Sequence, residues 1–390
     1  MSTRNEIDAI EQELREWRHH LHANPETAFE EVNTSNYIAE KLKSFGLEPK
    51  RGLAKTGLVA TLNKGASSPD RSIALRADMD ALDMEEQNQL PYRSKIPGKM
   101  HACGHDGHVA MLLGAAKILT ASKTFNGTVH FIFQPAEENF GGGGIMVEEG
   151  LFERFPAKAV FGMHNFPTIP KGKFAITSGP MMAAYDVFDI DIKGFGGHAA
   201  MPQFVKDPIV TAASLINQLQ TIVSRSLNPL ESAVVSVTDI HGGTAYNIIP
   251  DKVHIRGTTR HFQPEVQQTI ESKMAAIING IATASGTTID FTYARRYPAL
   301  VNTKDETMTA VKVAASLVGK DNVNSNMQPI MGSEDFAFLL QKRPGAYIRI
   351  GSGIPGSSAN LHQTTYDFND DILTLGVNYW VSLVEHLLPV

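Results

Sequence analysis

The chain has 390 residues, room for two or three domains at ~100–200 residues each. Hydrophobic residues make up 42% and charged residues 19%, an ordinary globular balance. The formal net charge of -6 and the lack of any Lys/Arg-rich run argue against a nucleic-acid surface. A single cysteine, Cys103, cannot form an intrachain disulfide, so nothing asks for an oxidising compartment. The opening MSTRNEIDAIEQELREW is charged throughout, without the apolar core of a signal peptide. No stretch approaches the ~18 apolar residues of a membrane span. The expectation is a cytoplasmic protein without nucleic-acid or membrane partners.

Ile7, Ile10, Leu14, Trp17 and Leu21 recur at spacings of three and four and predict one amphipathic helix. Tyr37, Ile38, Leu42 and Phe45 predict a second, stopped at Gly46. GLVATLN, SIALRAD, TVHFIFQ and AVFGMHN are short β-branched or apolar runs that read as strands, with a helix near Val109 to Leu119 between the second and third. That alternation predicts an α/β domain with a mostly parallel sheet buried on both faces.

The texture changes near Met181. YDVFDIDIKG puts Phe188, Ile190 and Ile192 on one face and acidic residues on the other, as in a half-solvated antiparallel strand. Helices over about Pro208 to Ser226 and Pro264 to Ser285 flank the strands ESAVVSVTDI and KVHIRGTTRHF, and TTIDFTYARRYP closes the segment. The order strand–helix–strand–strand–helix–strand predicts an α+β, ferredoxin-like sandwich. After Pro298 the first texture resumes. The expected organisation is one α/β domain over 1–180 and 299–390, with an α+β domain inserted over 181–298.

The chemistry-bearing side chains sit where strands end, which is where open α/β sheets place ligands. In RADMDAL, Asp78 and Asp80 are two apart and point the same way on an extended segment, although a solvated turn or helix N-cap would read the same. Cys103 and His105 in HACGH could place thiolate and imidazole on one ion, or the cysteine could simply be buried. Glu137 and Glu138 follow an apolar strand in QPAEEN, so one could hold a metal while the other stays free as a base. The glycine run Gly141–Gly144 lets backbone come close, and it lacks the Lys-Ser/Thr of a phosphate loop. His164 ends the strand FGMHN, and His362 lies in the polar loop NLHQTTYDF. Each piece alone is a weak signal. Together, five ligands exceed a closed four-ligand zinc site and suit two divalent ions ~3.5–4 Å apart.

RHHLHANPETAFEE, RADMDAL, HACGHDGHVAMLLGAA, QPAEE, GMHN, GGHAAMP, YNIIPD, GTTR, GSEDFAFLL and LHQTTYDF occur in this order along nearly the whole chain. The chain thereby resembles the amidohydrolase branch of the M20 metallopeptidase family, which contains hippurate hydrolases, aminoacylases and plant auxin-conjugate hydrolases. The resemblance implies a dinuclear metal site and an inserted dimerisation or lid domain. It implies Cys103, His105, Glu138, His164 and His362 as ligands, with Cys103 bridging, and Glu137 as general base. Asp80 would fix the tautomer of His105, and His198 would stabilise the oxyanion. Asn247 and Arg260 look like substrate contacts, although Arg260 reads equally as an ion-pair member within its sheet. Glu334, in GSEDF, has no assigned role.

Two departures stand out. Many wider-family peptidases have a metal-binding histidine where this chain has Asp78, and Asp83 stands in DALD where DALP is commoner. The implied reaction is metal-dependent hydrolysis of N-acyl amino acids, with a dipeptidase or carboxypeptidase of the same family as the alternative. The implied assembly is a homodimer or homotetramer. Thiolate and imidazole favour zinc, and carboxylates admit manganese, cobalt or nickel. A metal-dependent binding protein and a cysteine-nucleophile hydrolase are competing classes, and the latter would survive a chelator.

Overall fold

The computed structural model describes residues 3–65, 68–354, 356 and 359–390. The chain divides into two compact units. The larger comprises Met1–Met181, Val301–Pro329 and Glu334–Val390, and the smaller comprises Met182–Leu300 with Ile330–Ser333.

The larger unit is built on one eight-stranded sheet. Its strands run in the order Lys50–Leu53, Gly57–Lys64, Gly127–Gln134, Ser72–Asp78, Ala159–Pro170, Gly345–Gly353, Phe174–Ala175 and Val323–Asn324. The central pairings around Ser72–Asp78 and Ala159–Pro170 are parallel, whereas Gly57–Lys64 meets Gly127–Gln134 antiparallel. Every residue of Ser72–Asp78 and Gly127–Gln134 is buried, as expected where helices cover both faces of a sheet. The helix His105–Ala121 packs against Glu11–Ala23 and Leu373–Leu387. No helix among the described residues is long and apolar enough to cross a membrane.

Two local expectations change. The first apolar stripe is broken into helices Thr3–Asp8 and Glu11–Ala23, although Ile7, Leu14, Trp17 and Leu21 are all buried. His164 does not end its strand, which continues to Pro170.

The smaller unit has a four-stranded antiparallel sheet. Its order is Ala233–His241, Lys252–His261, Ala184–Lys193, Thr288–Tyr297, with helices Pro208–Thr221 and Pro264–Ser285. This is the strand order of a ferredoxin-like βαββαβ unit. Phe188, Ile190 and Ile192 enter its core with Leu215, Leu219, Ile270 and Met274. One acidic residue breaks the simple alternation. Asp186 lies on the inward face, fully buried, and accepts hydrogen bonds from Gln267 (2.9 Å) and the Tyr293 hydroxyl (2.7 Å).

Candidate metal centre

The site is assembled in the larger unit from five chain segments, His164 coming from the strand Ala159–Pro170. Asp78 is the last residue of its strand, and Asp80 follows it. Both are buried, so RADMDAL is neither a solvated turn nor a helix cap. Cys103 and His105 flank Gly104, whose φ of 99° suits glycine. A Cβ there would stand 2.3 Å from Asn165 Oδ1, so the loop can lie against the neighbouring strand only with glycine at this position. Glu137 and Glu138 occupy a turn entered through Ala136, which has a positive φ of 55°. His362 also has positive φ, and its backbone N–H donates to Ala102 O at 2.8 Å, tying the C-terminal loop to the cysteine loop.

These segments bring the five expected ligands together. Cys103, His105 and Glu138 offer ligand atoms within 4.8 Å of one another. Cys103 Sγ lies 3.4 Å from His164 Nε2. Glu138 Oε1 lies 3.1 Å from His362 Nε2 and 3.9 Å from His105 Nε2. The outer nitrogens fix the tautomers. His164 Nδ1 donates to Asn165 O at 2.6 Å, and His105 Nδ1 donates to Asp80 O at 2.8 Å. Each histidine thus keeps Nε2 for the centre of the site.

Asp80 holds His105 chiefly through its backbone carbonyl, with carboxylate Oδ1 at 3.3 Å. Its carboxylate has a second task, accepting the backbone N–H groups of Glu137 (3.0 Å) and Glu138 (3.1 Å).

A second group, Asp78, His105, His108 and His164, also has ligand-type atoms within 4.8 Å. Hydrogen bonding separates the two. His108 Nδ1 lies 2.6 Å from Asp78 Oδ1, and its Nε2 lies 2.7 Å from Asn165 Oδ1 and 3.1 Å from the Asn165 backbone nitrogen. Asp78 Oδ2 accepts from Arg76 at 2.7 Å. Asp78 and His108 are therefore already occupied. By contrast His105 Nε2 is a buried polar atom with no hydrogen-bond partner among the described residues. An orphan of this kind costs about 1–3 kcal/mol. A divalent cation between it and Glu138 Oε1, 3.9 Å away, would satisfy it.

The electrostatics point the same way. Burial and then the carboxylates of Glu138, Glu137 and Asp78 push the Cys103 thiol well up. Burial and then Glu334, Glu138 and Asp335 push the Glu137 carboxyl well up. Burial opposes charge on His105, but Asp78 and Asp80 outweigh it and raise the group to about 10. All three shifts favour added positive charge, which a cation would supply. A thiol held protonated is also a poor nucleophile, which counts against a cysteine hydrolase.

The residues expected to touch substrate lie in the smaller unit. His198 and Asn247 are exposed neighbours there. The Gly197–His198 segment pairs with Ile248–Ile249, and Ala199 N–H donates to Asn247 O at 3.0 Å. Among the described residues Arg260 makes no ion pair. Its guanidinium sits 4.4 Å over the Tyr185 ring and donates to Thr259 O at 3.0 Å.

Sequence reasoning missed Arg76 and Asp335. Arg76 is fully buried and donates to Gln134 (2.7 Å), Asp78 (2.7 Å), Glu334 (2.9 Å) and Asp335 (2.9 Å). An arginine inside a seven-residue, otherwise apolar and acidic strand was the available signal, since such a charge is buried only with partners.

Comparison with known proteins agrees with this site. The model of peptidase family M20/M25/M40 matches residues 74–386. The hippurate hydrolase of Campylobacter jejuni subsp. jejuni is 43% identical, over 97% of both chains. The N-acetylcysteine deacetylase of Bacillus subtilis is 38% identical, over 97% of this chain and 98% of that one. The crystal structure of Bacillus subtilis YXEP protein, described as a dinuclear metal binding peptidase from the M20 family, superposes with a TM-score of 0.83 at 34% identity, covering 98% of this chain and 99% of that one. The chain with this buried, cation-seeking cluster belongs to peptidase family M20/M25/M40 and is a metal-binding hydrolase of that family.

Proposed function

We propose that this protein hydrolyses the amide bond of N-acyl amino acids, hippurate-type substrates among them, with Glu137 as general base. One observation carries the reading. The adjacent glutamates diverge: Glu138 joins Cys103 and His105, whereas Glu137 groups with Glu334 and Asp335. Arg76 already binds Glu334 and Asp335, which supports Glu138 as the ligand and leaves Glu137 for proton transfer.

Cys103, His105, Glu138, His164 and His362 would hold two divalent ions, with Cys103 bridging and zinc or manganese the expected metals. Such ions, when bound, lower the pKa of water and polarise a carbonyl. Glu137 takes a proton from the attacking water and passes it to the leaving amine nitrogen. Asp80 keeps the His105 ring and the Glu137–Glu138 backbone in place. We assign His198 to the oxyanion and Asn247 and Arg260 to the substrate carboxylate, on the motifs GGHAAMP, YNIIPD and GTTR. The ion-pair reading of Arg260 loses ground because its guanidinium is committed to Tyr185. The smaller unit would serve as lid and dimerisation domain of a cytoplasmic homo-oligomer.

The test is to strip metal with a chelator and restore zinc, manganese, cobalt or nickel singly. Release of glycine from N-benzoylglycine is then followed beside N-acetyl amino acids and dipeptides. Loss on stripping and recovery with one metal are expected, and Glu137→Gln should retain metal and lose about a thousandfold in kcat. Activity that persists without metal sinks the proposal. Preference for a free α-amine on the acyl side replaces it with a dipeptidase.

A further inference from the structure

Beside the candidate ligands lies a second cluster, in which Glu137, Glu334 and Asp335 come close enough to share a cation, but where Arg76 already supplies positive charge. Arg76 spends its Nε on Gln134 Oε1 (2.7 Å) and its two terminal nitrogens on three carboxylates: Asp78, Glu334 and Asp335. Each carboxylate is then bound again. The Tyr347 hydroxyl donates to Glu334 Oε2 at 2.5 Å, and Phe336 N–H donates to Glu334 Oε1 at 2.9 Å. Asp335 Oδ2 accepts from Gly143 N–H and from Gln134 Nε2, both at 2.8 Å. The glycine run supplies that contact, since a Cβ on Gly143 would meet Gln134 Oε1 at 2.9 Å and Asp335 Cγ at 3.2 Å.

A buried arginine needs one carboxylate to neutralise it. Three, with a fourth close by, is a costly arrangement, because like charges a few ångströms apart repel by several kcal/mol even at an effective dielectric of ~20. The fourth is Glu137, whose carboxylate has an oxygen within 4.8 Å of oxygens from both Glu334 and Asp335. The backbone N–H of Asp335 points at Glu137 Oε1, 3.4 Å away. The repulsion on one side and the amide on the other leave the Glu137 side chain little freedom.

Resting on the reading of Glu137 as the base, we propose that Glu334 and Asp335, held by Arg76, are positioning residues that fix the Glu137 carboxylate for proton transfer. Glu334 acts through its side chain by anchoring the turn, and Asp335 acts through its amide.

Glu334→Gln keeps the volume and an acceptor for Arg76. Its kcat should fall about ten- to a hundredfold, the scale of a misplaced catalytic group. KM and the bound metal, measured by elemental analysis, should stay within about twofold. Combined with Glu137→Gln, the two losses should not multiply, because one acts through the other. A rise in KM with kcat intact, loss of metal, or fully multiplying losses would each overturn the inference. Should Glu334→Gln not fold, Tyr347→Phe removes one anchor of Glu334 and should show the same split on a smaller scale; an unchanged kcat there overturns it. A crystal structure of the folded variant gives a readout free of activity. Glu137 should leave the Asp335 amide, and an unmoved Glu137 counts against positioning even in a protein that hydrolyses nothing. Wild-type silence on every acyl amino acid and dipeptide would instead remove the proposed function alone.

Discussion

Arg76 and His105 each anchor a cluster of buried charge in the same sheet-based unit, and the two clusters are finished differently. Around Arg76 nearly every donor and acceptor is matched within the chain. Around His105, Nε2 of the ring itself is left open. Both clusters are rich in carboxylates, so composition does not distinguish a structural network from a ligand site. Satisfaction does. A chain that can close the Arg76 network so fully leaves this nitrogen open beside it because something else pairs with it.

The comparison predicts different consequences for the two clusters. Glu138→Ala should abolish turnover and lower metal content while leaving the denaturant midpoint close to wild type, since the ion pair it deletes, to half-exposed His362, is worth about 0–1 kcal/mol. A large loss of stability with metal retained would erase the distinction. Arg76→Met should cost stability as well as turnover. Removing the cation strands three buried carboxylates, and breaking a buried ion pair costs about 3–5 kcal/mol. Urea unfolding should record that loss in metal-free protein, and a loss under about 1 kcal/mol would mean the network is not structural.

A smaller effect sharpens the boundary between the clusters. Glu31 accepts from Ala136 N–H (2.9 Å) and the Thr56 hydroxyl (2.7 Å), so it sets the turn that carries both glutamates. Burial raises it from 4.5 to about 7, against those hydrogen bonds. The folded state therefore binds more protons than the unfolded state between these values. The stability Glu31 contributes is fully present below pH 4.5 and is lost as pH rises through 7. Glu31→Gln should lower the melting temperature by a few degrees at pH 5 and flatten its decline from pH 5 to 8. Melting curves that keep the wild-type slope would place the titration elsewhere.

The sequence carried most of the fold because the fold is written in periodicity. Apolar runs marked Ser72–Asp78 and Gly127–Gln134, and alternation marked Ala184–Lys193. Asp78 and the Glu137–Glu138 pair stood out at strand ends, whereas the full candidate ligand set came from the family resemblance. What escaped was orientation and pairing. Asp186 reads as one more solvent-facing acid until its partners His261, Gln267 and Tyr293 arrive from distant segments. Arg76, Glu334 and Asp335 are 258 and 259 residues apart along the chain, and no local pattern announces such a contact. His108, three residues after His105, is an imidazole in the same loop-to-helix stretch, yet it is closed off by Asp78 and Asn165. Only knowledge of where each lone pair goes separates it from its neighbour.

The strand Gly345–Gly353 lies in the middle of the sheet, between Ala159–Pro170 and Phe174–Ala175, yet it is made after the whole of Met182–Leu300. A ribosome adding ~5–20 residues per second needs on the order of ten seconds to bridge that gap. Through that interval the parallel edge of Ala159–Pro170 has no partner. The smaller unit, almost all contiguous, can fold as it emerges. The larger one can close its sheet only when synthesis is nearly complete, which makes that open edge the place where a nascent chain most needs shielding from other chains.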